Sequence, residues 1–74
     1  MNDMNIIGQR IRFYRNKLGL TQTELAKKTG CTQGAIVAYE CGKRTPSLIK
    51  GYMVAKALGI TVEQLFEQKV VIEI

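Results

Sequence analysis

Histidine is absent from this 74-residue sequence. Histidine is the commonest general base and metal ligand near neutral pH, so its absence removes the simplest hydrolytic and metal sites. The sequence also shows no metal-ligand cluster, no glycine-rich phosphate loop after a strand and no nucleophile beside a base. We therefore expect a protein that is not an enzyme and that carries neither a metal nor a cofactor.

Cysteine and long apolar runs are scarce as well. Cys31 and Cys41 are the only cysteines and do not make a disulfide framework, which favours a reducing compartment. The first residues, MNDMN, lack the basic and apolar regions of a secretory signal, and no apolar run approaches the ~20 residues that span a bilayer. These features predict a soluble cytoplasmic protein with no membrane partner.

Acidic residues are few in most of the chain. Residues 1–60 hold ten basic and three acidic residues, a net charge of +7, whereas residues 61–74 hold one basic and three acidic residues, a net charge of −2. A basic body suits a polyanionic partner, and an acidic tail would be kept away from that partner. A surface charged only for solubility would have the same composition, so charge alone leaves both interpretations open.

The run TQTELAKKTGCTQGAIVAYE, residues 21–40, contains two short helical patterns. Thr21 with Glu24 predicts a capping box at the start of the first helix, and Gly30 predicts its end. Thr32 caps the second helix after a very short turn, so the two helices must cross steeply, which is typical of a helix-turn-helix. The residues expected to face inward are Leu25, Thr29, Cys31, Ile36 and Tyr39.

Helical patterns also flank this motif. Ile7, Ile11, Tyr14 and Leu18 form the apolar stripe of a first helix that ends at Gly19. An apolar residue precedes each of the caps Thr21, Thr32 and Thr61 and another follows five residues later, which is the spacing of a hydrophobic staple. These patterns predict an all-α domain with well-defined helix starts.

A fourth helix is expected from about Leu48 to Leu58, after the loop CGKRTPS. Its middle residue Gly51 indicates either close packing or a locally soft helix, because a mid-helix glycine costs about 1 kcal/mol relative to alanine. A fifth helix should run from Val62 to Phe66 or Gln68, and the β-branched run VVIEI after it favours a strand. The residues of the fourth helix expected to face inward are Leu48, Tyr52, Val54, Ala55 and Leu58.

Three segments of the chain resemble the phage repressor and Cro family, the XRE-type regulators: LTQTELAKKTG, TQGAIVAYECGKRTPS and AKALGITVEQLF. The resemblance covers residues 6–66 and implies a five-helix lambda-repressor-like DNA-binding domain. We therefore expect residues 1–68 to form this domain, with the helix-turn-helix at about 21–40, and residues 69–74 to form a tail.

The second helix of the motif is the candidate recognition helix. If Ile36 and Tyr39 point inward, a rotation of about 100° per residue places other residues on the outer face, which enters the major groove in this architecture. Gln33 could bind the edge of adenine or could simply favour a helix start, whereas the small residues read few bases directly and leave a role for DNA shape. The base-facing candidates are Gln33, Gly34, Val37 and Ala38.

Residues around the recognition helix are candidates for contacts to the DNA backbone. The resemblance implies that Gln22 binds a phosphate and braces the first base-reading side chain, and that Glu40 orients Arg15 toward a phosphate. Lys43 and Arg44 follow the recognition helix and could supply affinity without sequence information, or could only solubilise the loop. The full set of backbone candidates is Arg15, Gln22, Thr23, Thr32, Lys43, Arg44 and Thr45.

The resemblance implies a sequence-specific regulator of transcription that binds double-stranded DNA as a homodimer and acts as a repressor. The tail VVIEI could pair with its twin in an antiparallel ribbon, as in Cro-like proteins, or could be a frayed end. The alternative is a protein-interaction module, such as an antitoxin-like or anti-repressor subunit, because the outer face of the recognition helix carries small residues besides Gln33 and fold alone does not decide function.

Overall fold

Five α-helices follow one another in a computed structural model of the chain, which describes residues 6–67. No strand occurs within that range, so the expected all-α class and order of helices are confirmed, whereas the expected strand VVIEI lies outside the described residues. The helices are α1 (Ile6–Lys17), α2 (Gln22–Thr29), α3 (Gln33–Glu40), α4 (Leu48–Leu58) and α5 (Val62–Phe66).

A hydroxyl side chain caps the start of each helix from α2 to α5. Thr21, Thr32, Ser47 and Thr61 each accept a hydrogen bond from the backbone N–H three residues later, at 3.0–3.2 Å. Both expected capping boxes are present, because Glu24 and Gln64 accept from the cap backbones at 2.8 Å. Each cap contributes about 1 kcal/mol to stability and sets the residue at which its helix begins.

The turn between α2 and α3 has the predicted form. Gly30 adopts φ +70°, a left-handed conformation that costs other residues energy, and Cys31 N–H donates to the Ala26 carbonyl at 3.1 Å. The buried Thr29 hydroxyl donates to the Leu25 carbonyl at 2.9 Å, so its polar group is satisfied inside the core. The turn thereby sends α3 across α2 with both helices packed on one core.

All five helices contribute to that core. Ile11, Leu25, Ile36, Val54 and Leu65 come from different helices, and each has no exposed surface. Full burial of a side chain of this size contributes about 1.5–3 kcal/mol, so this cluster is the main apolar stabilisation of a small domain. Leu25, Thr29, Ile36 and Tyr39 face inward as expected, whereas Cys31 is half-buried against the core.

Three residues that the apolar patterns placed inside are exposed. Leu18 is 53% exposed because α1 ends at Lys17, so the helical stripe no longer sets the direction of Leu18. Leu48 is 71% exposed and Tyr52 is 53% exposed, since the packed face of α4 is made by other residues. That face consists of Gly51, Val54, Ala55 and Leu58.

Gly51 is buried against the ring of Phe66 at the end of α5. A Cβ atom at position 51 would overlap two atoms of that ring. Of the two interpretations of this glycine, close packing is therefore confirmed. The missing side chain lets α5 lie directly on α4.

A buried carboxylate joins the first three helices. Glu40, at the end of α3, has a side chain that is 1% exposed and receives hydrogen bonds from Arg15 Nε at 2.6 Å and Arg15 Nη2 at 3.1 Å. Gln22 Nε2 donates to the same carboxylate at 3.2 Å, and Arg15 Nη1 donates to the Leu20 carbonyl at 2.8 Å. The expected contact between Arg15 and Glu40 is thus formed, and its burial distinguishes it from an ordinary exposed ion pair.

The surroundings of Glu40 control its ionisation. Burial alone would raise the pKa of this carboxyl, but the hydrogen bonds from Arg15 and Gln22 and the charges of Arg15 and Arg12 outweigh burial and lower the pKa below the ordinary 4.5. In turn, the hydrogen bond to Glu40 raises the pKa of the Arg15 guanidinium against the effect of burial. The pair therefore stays fully charged near neutral pH.

We predict that Gly51→Ala lowers the free energy of unfolding by about 1 kcal/mol, because displacing the Phe66 ring outweighs the gain in helix propensity. In a Phe66→Ala background the same substitution should instead raise this free energy by about 1 kcal/mol. Gly34→Ala, where an added Cβ meets nothing closer than 3.9 Å, is the matched control and should be stabilising. Urea denaturation measures all of these values, and an equal effect of Gly51→Ala in both backgrounds would contradict the packing.

Glu40→Gln should lower the free energy of unfolding at pH 7 by about 2–3 kcal/mol, because Arg15 loses its charged partner. The folded pKa of Glu40 lies below 4.5, so ionised Glu40 stabilises the protein above pH 4.5 and this contribution disappears as the pH falls through the lower folded value. The difference between wild type and variant should therefore shrink below pH 4.5. Glu67→Gln, at an exposed carboxylate, is the control and should change stability by less than about 0.5 kcal/mol.

Candidate nucleic-acid interface

The outer face of α3 is open to solvent. Gln33 and Gly34 are exposed and Val37 is 40% exposed, whereas Ile36 and Tyr39 are buried on the opposite side. The expected rotation of this helix is therefore present. Because its outer side chains are short apart from Gln33, another surface can approach the backbone of α3 closely.

Ala38 offers less surface than the helical rotation alone suggests. It is half-buried, and its carbonyl accepts hydrogen bonds from the backbone N–H groups of Lys43 at 2.9 Å and Arg44 at 3.2 Å. The loop after α3 thus folds back over the end of the helix. The accessible part of the outer face therefore lies between Gln33 and Val37.

That loop presents a short basic run beside α3. Lys43, Arg44 and Thr45 are all exposed, and the Arg44 guanidinium lies over the Tyr39 ring with its central carbon 5.9 Å from the ring centre. The two hydrogen bonds to Ala38 and this cation–π contact restrict the conformations of the loop. The loop can therefore offer cationic side chains at a defined position next to the end of α3.

Threonine hydroxyls lie near both helix starts of the motif. Thr32 is exposed, and its hydroxyl accepts from Ala35 N–H at 3.0 Å while its own proton remains able to donate. Thr23 is exposed in the first turn of α2. Both can donate to an anionic oxygen at the surface.

Gln22 links α2 to the end of α3. It is half-buried, and its amide donates to Glu40 at 3.2 Å, whereas the resemblance implies that it braces a base-reading side chain near the start of α3. The start of α2 also carries Glu24, whose pKa is lowered chiefly by the hydrogen bond from Thr21 N–H. A phosphate at this helix start would meet that carboxylate as well as the free end of the helix dipole.

Arg15 is positioned mainly by the protein itself. Its side chain is 12% exposed, and it donates from Nε and Nη2 to Glu40 and from Nη1 to Leu20. Since a guanidinium has five N–H donors, part of its donor capacity remains for an external oxygen. The role of Arg15 that the contacts establish is to hold α1 against α3.

Two basic residues near α3 were not among the sequence candidates. Arg12 is 55% exposed, and its Nε lies 3.5 Å from Glu40, at the edge of the Gln22–Glu40 contact. Lys50 of α4 joins Arg44 and Thr32 in lining a shallow depression of about 300 Å³ that extends along the side of α3 from Thr32 to Tyr39. Periodicity assigned these residues only to α1 and α4, and tertiary packing brings Arg12 to the end of α3 and Lys50 to its side.

Three further features of residues 6–67 concern metal-binding groups, membrane-spanning helices and cysteines. This part of the chain holds no group of three or more side chains that could bind a metal ion. No helix in the same part has the length and apolar character needed to cross a membrane. Cys31 and Cys41 are both free thiols, the first half-buried and the second exposed.

Sequence comparison identifies proteins that are similar to this chain. The family model described as Helix-turn-helix matches residues 11–65. An uncharacterized HTH-type transcriptional regulator of Methanothermobacter thermautotrophicus is 51% identical over 49 residues, 66% of this chain and 71% of the relative. Another from Archaeoglobus fulgidus is 47% identical over 57 residues, 77% of this chain and 81% of the relative.

Comparison with solved structures gives a result consistent with the sequence comparison. The P22 c2 repressor in complex with synthetic operator 9T matches with a TM-score of 0.81 and 31% identity, covering 84% of this chain and 94% of that one. SinR, the master regulator for biofilm formation, in complex with DNA matches with a TM-score of 0.78 and 34% identity, covering 82% and 98%. The chain therefore belongs to the XRE-type helix-turn-helix family of DNA-binding transcriptional regulators and has its lambda-repressor-like fold.

Proposed function

We propose that this chain is a cytoplasmic, sequence-specific repressor that binds double-stranded DNA as a homodimer and places α3 in the major groove. The observation that carries the proposal is the open outer face of α3, formed by Gln33, Gly34 and Val37, beside the basic loop of Lys43 and Arg44. A recognition helix in this fold contacts base edges through its N-terminal residues. Gln33 and Gly34 occupy that part of α3, and Val37 lies about one turn further along the same face.

Gln33 is proposed as the main base-reading side chain. Its amide can donate to N7 and accept from N6 of adenine, a bidentate contact that contributes about 1–3 kcal/mol of discrimination between bases. Val37 can contact a thymine methyl group, while Gly34 and the half-buried Ala38 permit close approach. With so few direct contacts, the sequence-dependent shape of the DNA should supply part of the specificity.

The remaining polar residues around α3 are proposed to bind the sugar-phosphate backbone. Lys43, Arg44 and Thr45 would contact phosphates beyond the end of α3, with Lys50 and Arg12 as additional cations. Such contacts position the protein and make binding depend on salt, but they carry no sequence information. The remaining proposed contacts come from Arg15, Gln22, Thr23 and Thr32.

The geometry of recognition in this architecture supports the proposed homodimer. Each copy supplies one α3, and a two-fold dimer would place two recognition helices in half-sites about 34 Å apart. Residues 69–74 are proposed to take part in the association. The likeness to the P22 c2 repressor supports repression, in which the bound dimer occupies DNA that other proteins need.

A protein partner is the second candidate, and the short side chains on the outer face of α3 favour it. A nearly flat helical surface can pack on another protein as well as in a groove. Affinity capture from a lysate with and without nuclease separates the two functions. Partners that persist after nuclease treatment would favour the protein-interaction module, whereas capture of specific DNA fragments favours the repressor.

Gln33→Ala should weaken binding to a selected operator by about 10- to 100-fold and should leave the helical circular dichroism unchanged, because Gln33 is exposed. Binding to random DNA should change little. Gln9→Ala, at an exposed glutamine of α1, is the matched control. The measurement is fluorescence anisotropy with operator and scrambled duplexes, and an equal loss on both duplexes would contradict a base contact.

Lys43→Ala should weaken binding to every duplex by a similar factor, since a phosphate contact does not depend on sequence. The slope of log K against log salt should become less steep by about 1. Lys28→Ala, an exposed lysine of α2, tests whether the loss of any positive charge has this effect. An unchanged slope in Lys43→Ala would remove this lysine from the interface.

A further inference from the structure

Three large apolar side chains of α4 lie in solvent on the side of the helix away from the core. Ile49 is 73% exposed, Tyr52 53% and Met53 37%. Tyr52 and Met53 follow Ile49 by three and four positions, so the three side chains are neighbours on one side of α4. Contiguous apolar surface of this kind on a small soluble domain marks a place where another molecule binds.

A depression of about 530 Å³ lies between α2 and α4 beside these side chains. Its lining residues are Lys28 of α2 and Tyr52, Met53, Lys56 and Ala57 of α4. The Met53 side chain reaches to the end of α2, because its Cε atom would lie 4.0 Å from a Cβ atom at Gly30. We call the surface formed by Lys28, Ile49, Tyr52, Met53 and Lys56 the α2–α4 face.

Positive charge flanks the apolar part of the α2–α4 face. Lys28 and Lys56 are both exposed, one on each helix. The carboxylate nearest in sequence, Glu24, lies one turn before Lys28 and accepts a hydrogen bond from Thr21 N–H at 2.8 Å, and α4 contains no acidic residue. Since both ion pairs found within residues 6–67 are made by Glu40, the two lysines have no paired carboxylate in that range.

The opposite side of Tyr52 has a different charge. A second depression of about 360 Å³ lies between α4 and the start of α5, and Glu63 lines it together with Lys56. The purely positive rim is therefore restricted to the side of α4 that faces α2. A partner with carboxylates would be attracted to that side.

The shape of the α2–α4 face favours a segment of a protein over a small molecule or a nucleic acid. A small-molecule site encloses most of its ligand, whereas this depression is open and Ile49 stands outside it. A nucleic acid would meet the lysines, but the side chains between them are apolar and cannot bind phosphates. An acidic protein segment with apolar side chains matches both parts of the face.

We propose that the α2–α4 face binds an acidic amphipathic helix of another protein. Ile49, Met53 and the half-buried Ala57 are each four residues apart, and such a row forms a ridge that packs into the groove of a second helix. Carboxylates beside the apolar stripe of the bound helix would pair with Lys28 and Lys56. Met53 is suited to this contact because its flexible side chain adapts to the shape of a partner.

This site is distinct from the outer face of α3 and goes beyond the proposed function. The proposed DNA contacts come from α1, α3, the starts of α2 and α4 and the basic loop, and none of them belongs to the α2–α4 face. Both surfaces can therefore be occupied at the same time. The inference does not depend on DNA binding.

A second copy of this chain is a poorer occupant of the α2–α4 face. In a two-fold contact the same patch meets itself, so Lys28 and Lys56 of both copies would come together. Like charges in an interface oppose association. An acidic helix brings the opposite charge to the same lysines.

Selection from a displayed peptide library tests the chemistry of the partner. Helical peptides of about 16 residues carry a fixed apolar stripe, and the positions beside the stripe vary among Glu, Gln and Lys. The full wild-type chain should enrich peptides with Glu at these positions, and the variant Lys28→Glu with Lys56→Glu should enrich Lys instead. No preference for Glu on the wild type, or the same preference on both proteins, would overturn the inference.

Fluorescence anisotropy with a selected acidic peptide locates the site. Ile49→Ser with Met53→Ser should weaken peptide binding at least about tenfold, because two central apolar contacts are lost, and should keep the helical circular dichroism. The matched control is Phe13→Ser with Lys17→Glu, at an exposed apolar residue and its neighbouring lysine on α1, and should bind as the wild type does. Full binding by the α4 variant, or an equal loss in the control, would contradict the location.

Two measurements examine other occupants of the face. Light scattering should give Ile49→Ser with Met53→Ser the same mass as the wild type, whereas a lower mass would assign the face to a second copy and overturn the inference. Excess DNA duplex should leave the labelled peptide bound, and displacement of the peptide would assign the face to nucleic acid. A chain that binds the peptide as expected but ignores all DNA would reject the repressor function and leave this inference in place.

Discussion

The burial of one carboxylate constrains the geometry of the motif. Glu40 is almost fully enclosed, and a charge in that position is tolerated only when several donors surround it. Arg15 from α1 and Gln22 from α2 provide those donors at 2.6–3.2 Å. Because the three residues belong to three helices, their contacts hold α3 at one angle to α1 and α2.

This constraint matters because α3 is short. An isolated helix of eight residues is unstable in water, so α3 depends on tertiary contacts for its conformation. Ile36 and Tyr39 pack it on the core, Thr32 caps its start and Glu40 anchors its end. The outer face contributes nothing to this packing, which leaves Gln33, Gly34 and Val37 available for another molecule.

α4 differs from α3, because large apolar side chains lie on its exposed side as well as on its packed side. Its sequence LIKGYMVAKAL has apolar residues on most sides, so a periodic pattern could not indicate which side meets the core. Gly51 decides this, because only a residue without a side chain admits Phe66 of α5. Once that contact forms, Leu48 and Tyr52 turn to solvent, which explains why their predicted burial was wrong.

The amino-acid sequence by itself determined the helix boundaries of the motif, since threonine caps, capping-box partners and Gly30 act within a few residues along the chain. It also determined the rotation of α3, because Ile36 and Tyr39 are the pair of large apolar residues at helical spacing in this helix. Only the tertiary structure decided the partners of Gln22, the approach of Lys50 and Arg12 to α3, and the exposed side of α4. The physical reason is that these contacts join helices distant in sequence, where local propensity and periodicity carry no information about the packing of one helix on another.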